Sequence, residues 1–280
     1  MGPASPPAAS SQLFLPVAAC LLAASGCLSS STVIRLEPDG SGTVVLSTVM
    51  SAQARAELAT LRSMALPRDG AGEAPPELFS VEQARARAAR MGEGVRFVSS
   101  RKLQGPEGEG LESVYAFTDV RTLRISERPE PPVSGGGAVG AREGTPALEF
   151  EMDGLPNGHA RLTIVLPRPR PDEAAAPPAS PAATASAAQV TRLRSMVKGL
   201  RVSLAVEVPR LVATSSPFVE GSRVTLLDMD FERLLADDPR LEELAVKRIR
   251  SLQAAKSVLK DAPGFKVITD PEVTVEFAAR

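Results

Sequence analysis

Apolar and polar positions alternate in short runs along most of this chain, and a period of two predicts strands. Val33 to Glu37 and Thr43 to Met50 are rich in β-branched residues and flank Pro38-Asp39-Gly40-Ser41-Gly42. Asp-Gly between two such runs predicts a hairpin, because glycine accepts the positive φ of a tight turn. Leu148, Phe150 and Met152 alternate with Glu149 and Glu151. Leu162, Ile164 and Leu166 alternate with Arg161 and Thr163 after a turn holding Asn157-Gly158. Val202, Leu204, Val206 and Val208 repeat the pattern, as do Val224 with Leu226 and the closing Val273, Val275 and Phe277. Val95 with Phe97, and Leu111 with Tyr115 and Phe117, predict a further hairpin around Gly105 to Gly110. One oily face and one wet face per strand is the pattern of an antiparallel sheet covered on one side.

Between the strands the period lengthens to that of a helix. Ser51 can cap a helix whose stripe is Ala54, Leu58, Leu61 and Ala65, ended by Pro67. Ser80-Val81-Glu82-Gln83 has the form of a capping box, in which serine and glutamine satisfy each other's free backbone donors, and Gly92 stops that helix. A short helix is expected over 188–198, on Val190, Leu193 and Val197. The longest is expected to open at Asp238-Pro239 and to bury Leu241, Leu244, Ala245, Ile249, Leu252, Ala255 and Leu259. The fold class this predicts is α+β, a curved antiparallel sheet with helices packed on one face. Two Pro/Gly/Ala-rich tracts, residues 127–145 and 167–188, are too poor in apolar side chains to offset the entropy of ordering and are expected as disordered insertions. Residues 33–280 are then expected to form a single domain, since the part beyond residue 188 offers only about four strands.

The amino terminus carries a different signal. Leu13 to Ala24 is almost wholly apolar and runs into Ala24-Ser25-Gly26-Cys27. About 12 apolar residues fall short of the roughly 20 that span a bilayer, so an export signal is expected here and not a permanent span. It resembles the signal of bacterial lipoproteins, in which small residues before a cysteine let the lipid transferase and its signal peptidase approach the backbone. It departs from that pattern in having no Lys or Arg before Cys27, and Val17-Ala18-Ala19-Cys20 fits the same motif with a shorter apolar run. The resemblance implies removal of residues 1–26 as a lipoprotein signal peptide and lipidation at Cys27, with diacylglyceryl on sulfur and an acyl group such as palmitate on the new amine. Residues 27–32 would be a tether and the membrane a partner through the lipid anchor, in the bacterial cell envelope. Leu28 lacks the aspartate that retains such proteins in the inner membrane, which in a Gram-negative cell implies the outer membrane, facing the periplasm.

A second resemblance lies in Arg201 to Pro209, Val212 to Ser216 and Glu220 to Thr225. A strand ending in a proline turn, a short strand, and a glycine turn before a further strand are similar to LppM-type envelope lipoproteins, although Leu226 stands where that family often has tryptophan. The resemblance implies helices on a sheet, as in carriers of apolar ligands.

Candidate chemistry is sparse. Cys20 and Cys27 are the only cysteines and His159 the only histidine, which leaves no Cys-His pair and no zinc set of several histidines or cysteines. His159 follows Asn157-Gly158 and is expected at an exposed turn. Asp228, Asp230 and Glu232 alternate and could share a proton or hold calcium, but acids at that spacing before Phe231 equally suit the start of a helix. Asp39-Gly40-Ser41-Gly42 lacks the further ligands of a calcium loop and the lysine of a phosphate cradle. Arg85, Arg87 and Arg90, and Lys247, Arg248 and Arg250, could meet lipid headgroups or form solvated faces balanced by Glu82, Glu242 and Glu243. A net charge of -1 at pH 7 argues against a dedicated nucleic-acid binder. The chain is therefore expected to be no enzyme, to use no cofactor or metal and no nucleic acid, and to act as a non-catalytic accessory or binding module for an envelope protein or polymer. The alternative is a carrier of apolar (lipid) ligands.

Overall fold

The structure, a computed structural model, describes residues 28–56, 79–126, 147–167, 198–234 and 262–278, together with residues 191, 239, 259 and 260. The first hairpin is β1 (Leu28–Leu36) and β2 (Gly42–Met50), the second β3 (Arg96–Gly105) and β4 (Gly108–Phe117). There follow β5 (Ile125–Ser126), β6 (Ala147–Gly154), β7 (His159–Val165), β8 (Arg201–Glu207) and β9 (Leu211–Thr214). The chain closes with β10 (Val219–Glu220), β11 (Arg223–Asp230), β12 (Phe265–Val267) and β13 (Glu272–Ala278). Eight strands form a larger sheet in the order β10-β11-β8-β1-β2-β4-β3, with β12 also on β11, and five form a smaller one in the order β5-β6-β7-β13-β9.

Most hairpins lie where local sequence places them. Gly40 has φ 86° at the tip of the first, and Gly158 has φ 76° in the turn before β7. Ser51 caps the helical residues 52–56 by accepting from the Ala54 N–H at 3.1 Å. Ser80 caps α1 (Val81–Ala88), accepting from the Gln83 N–H at 3.4 Å. The Ser80 hydroxyl in turn donates to Glu82 Oε2 at 2.6 Å.

Three expectations are corrected. The α+β class gives way to a mostly β architecture: among the described residues strand makes up 57% and helix 14%. The oily face of the larger sheet is covered in large part by the oily face of the smaller one, Leu148, Phe150, Leu162, Ile164, Val273, Val275 and Phe277, which joins Ile34, Val44, Phe117, Val206 and Val224 in one core. A sheet satisfies a sheet here because both sets of strands carry the same period of two. Second, the larger sheet is not purely antiparallel, since β1 and β8 pair in parallel from Ser29↔Arg201 to Arg35↔Glu207. Third, residues 28–32 are no tether. They are the first half of β1, with Leu28 paired to β2 and residues 29–32 in register with both β2 and β8, and with Leu28 and Ser30 buried. The insertion at 127–145, that at 167–188 apart from Pro167, the helix over 188–198 apart from Thr191 and Lys198, Leu58, Leu61 and Ala65 of the helix after Ser51, and most of the helix from Asp238 to Leu259 lie outside the described residues, and Leu259 itself is buried in the core.

Candidate functional site

Cross-strand register turns the face of the larger sheet that points away from the core into rows. The row through Ser31 places Ser203 on one side and Ser47 on the other. Beyond Ser203 it reaches Asp228, and beyond Ser47 it reaches Glu112 and then Arg101. The Ser203 hydroxyl donates to Ser31 Oγ at 2.9 Å, Ser47 donates to Glu112 at 3.3 Å, and Arg101 pairs with Glu112 at 2.9 Å. At the other end Arg201 Nε lies 3.6 Å from Asp228 Oδ1, an oxygen that is buried and accepts no hydrogen bond. The result is three adjacent hydroxyls between two carboxylates, rich in both donors and acceptors.

Two residues along each strand the chemistry changes. Val33 stands between the buried Ala205 and Val45, with Val114 beyond, so the centre of the next row is apolar, with Thr225 and Ser99 at its ends. The row after it is charged: Glu207 accepts from Arg35 at 2.9 Å and from Arg223 at 3.2 Å. Hydroxyl, methyl and ion-pair rows thus succeed one another at the strand repeat of about 6–7 Å for two residues. Sequence reading missed this surface because Ser31 sits in a serine run that resembled a linker, and because no spacing along the chain reveals that Ser31, Ser47 and Ser203 are neighbours.

The residues singled out from sequence are dispersed. His159 is the first residue of β7, beside its turn and half-buried, with Nδ1 2.9 Å from Glu276 Oε1 and 3.0 Å from Asn157 Nδ2. That contact, with help from Asn157 and Arg161, holds the Glu276 carboxyl below its usual range. The acidic trio does not converge. Asp228 faces Arg201, Asp230 accepts from the Glu232 N–H at 3.1 Å at the start of the short helix Phe231–Leu234, and Glu232 accepts from the Gly199 N–H at 2.9 Å. Asp39 closes its own turn, taking the Ser41 hydroxyl at 2.6 Å and the Ser41 N–H at 2.9 Å, which lowers its pKa. Arg85 lies over the Phe97 ring at 5.6 Å, while Arg87 and Arg90 sit on or just after α1. Lys247, Arg248, Arg250 and Cys27 lie outside the described residues. Among the described residues no group of three or more His, Cys, Asp or Glu could hold a metal ion, and no helix is long and apolar enough to cross a membrane.

No family model matches this chain. No curated protein matches it either. Among solved structures, the NMR structure of the folded domain of the Mycobacterium tuberculosis LppM protein aligns with 96% of this chain and 95% of that one, at 9% identity and a TM-score of 0.30.

Proposed function

We propose that this protein is a lipid-anchored lipoprotein of the bacterial cell envelope that works as a non-catalytic binding module. The observation that carries the reading is a juxtaposition: a leader in the sequence that ends in Ala24-Ser25-Gly26-Cys27, and strand β1 starting at Leu28 in the structure. Binding chemistry is supplied by the face just described, where the hydroxyl row and the ion-pair row flank the valines of β1, β2 and β4. Such a surface suits a partner that both donates and accepts hydrogen bonds, an envelope protein or a polyhydroxylated polymer. A catalytic reading has less support, because His159 is engaged by Glu276 and Asn157, and Asp228 and Asp230 each face their own arginine.

Metabolic labelling with palmitate, followed by detergent phase separation, tests the anchor. Wild-type protein is expected to take up label and enter the detergent phase, and Cys27→Ser to do neither. An unlabelled wild type in the aqueous phase would sink the proposal. The same purified protein tests the carrier alternative, since saturable uptake of a fluorescent fatty acid would move the binding site from the surface to the interior.

A further inference from the structure

The start of β1 leaves no slack between anchor and body. Leu28 is buried and pairs with Met50, and Ser29 already pairs with both Val49 and Arg201. Consecutive Cα atoms are about 3.8 Å apart, so the residue that precedes Leu28 stays at that end of the larger sheet. We infer that the protein stands on the lipid surface by this end, with β1 leading away from the bilayer and the Asp39–Ser41 turn at the distal pole. The inference rests on the acylation of Cys27 proposed above.

The composition of the end fits a surface pressed to lipid by its anchor and not drawn there by charge. A small buried apolar cluster of Leu28, Met50 and Ala54, with Phe79 and Leu200 packed on it, sits where the sheet begins, and Leu200 joins it to the main core. Among the described residues three cations around it are paired, Arg55 with Glu109, Arg201 with Asp228 and Arg233 with Asp230. A cation paired in this way is drawn less strongly to anionic headgroups. The geometry also sets heights. At about 3.3 Å per residue, the eight steps of β1 rise about 26 Å, the hydroxyl row through Ser31 stands about 10 Å above Leu28, and the charged row through Arg35 about 23 Å. Anchoring would then present the binding face at a fixed height, side-on to the envelope space, and not as a freely swinging body.

The test uses the mature acylated protein in vesicles of phosphatidylcholine with phosphatidylglycerol. Once the leader is removed and Cys27 is acylated no thiol remains, so a single introduced cysteine reports alone. Glu107→Cys places a fluorophore in the turn at the near end and Glu37→Cys one at the far end, both at exposed positions. With headgroup spin-labelled lipid we expect strong quenching at Glu107→Cys and none above the lipid-free baseline at Glu37→Cys, unchanged by high salt. Inserting about ten Gly/Ser residues between Cys27 and Leu28, a span of about 17 Å, should erase the difference while the protein still floats with vesicles. Equal quenching at both sites in protein that floats, or a linker without effect, overturns the orientation and leaves the anchor standing. A wild type that neither takes up palmitate nor floats overturns the anchor, and the orientation with it.

Discussion

At the residue scale, three side chains show how local contacts decide the outcome of a substitution. Tyr115 is fully buried, donates to the Ala84 carbonyl at 3.0 Å, and meets the edge of Phe97 with ring centres 6.0 Å apart. Tyr115→Phe keeps the packing and loses that bond, so about 1 kcal/mol of stability should go, a fall of a few degrees in Tm. Gly110 lies where an added Cβ would strike the Thr48 carbonyl, whereas a Cβ at Gly105 would meet nothing within 4 Å. Gly110→Ala should therefore cost about 1–3 kcal/mol in urea unfolding and Gly105→Ala close to nothing. Glu276 has a folded pKa held below its ordinary 4.5, first by His159. Its contribution is present above the unfolded value and lost as pH falls through the folded one. Glu276→Gln should lower Tm at neutral pH, and the gap to wild type should close on acidification below 4.5; a gap that widened in acid would refute the assignment.

Elements depend on their neighbours in ways that sequence order hides. β13 is the last described strand, yet it lies inside the smaller sheet, bonded to β7 along Glu272↔Val165 to Ala278↔His159 and to β9 on its other side. It brings Val273, Val275 and Phe277 to the core, each almost fully buried. Losing three such side chains at about 2–5 kcal/mol apiece is comparable with the roughly 5–15 kcal/mol that holds a typical domain folded. Truncation before Glu272 should abolish the cooperative thermal transition seen by circular dichroism. Hairpins and helix caps were legible because their determinants sit within a few residues: Gly40 at the tip of β1 and β2, Ser51 and Ser80 at the helix starts. The parallel pairing of β1 with β8 was not, because parallel and antiparallel strands share one period of side chains, and the partner lies some 170 residues on.

For the whole molecule, one core joins both sheets, so damage on one side is expected to be felt on the other. Phe277→Ala, at roughly 3–5 kcal/mol, should lower the melting of the Tyr115 signal from the larger sheet as much as the bulk signal from circular dichroism; separate transitions would mean that the sheets fold independently. The chain by itself determined which segments extend, where they turn and where helices are capped, since those follow from periodicity, backbone freedom and short motifs. Only the tertiary structure decided that the sheet is covered by another sheet, that a serine run is a central strand, and that Ser31, Ser47 and Ser203 stand in one row. The physical reason is that burial and register are shared properties. An oily face specifies that it must be covered and not by what, and a hydroxyl gains its role from neighbours that only folding brings to it.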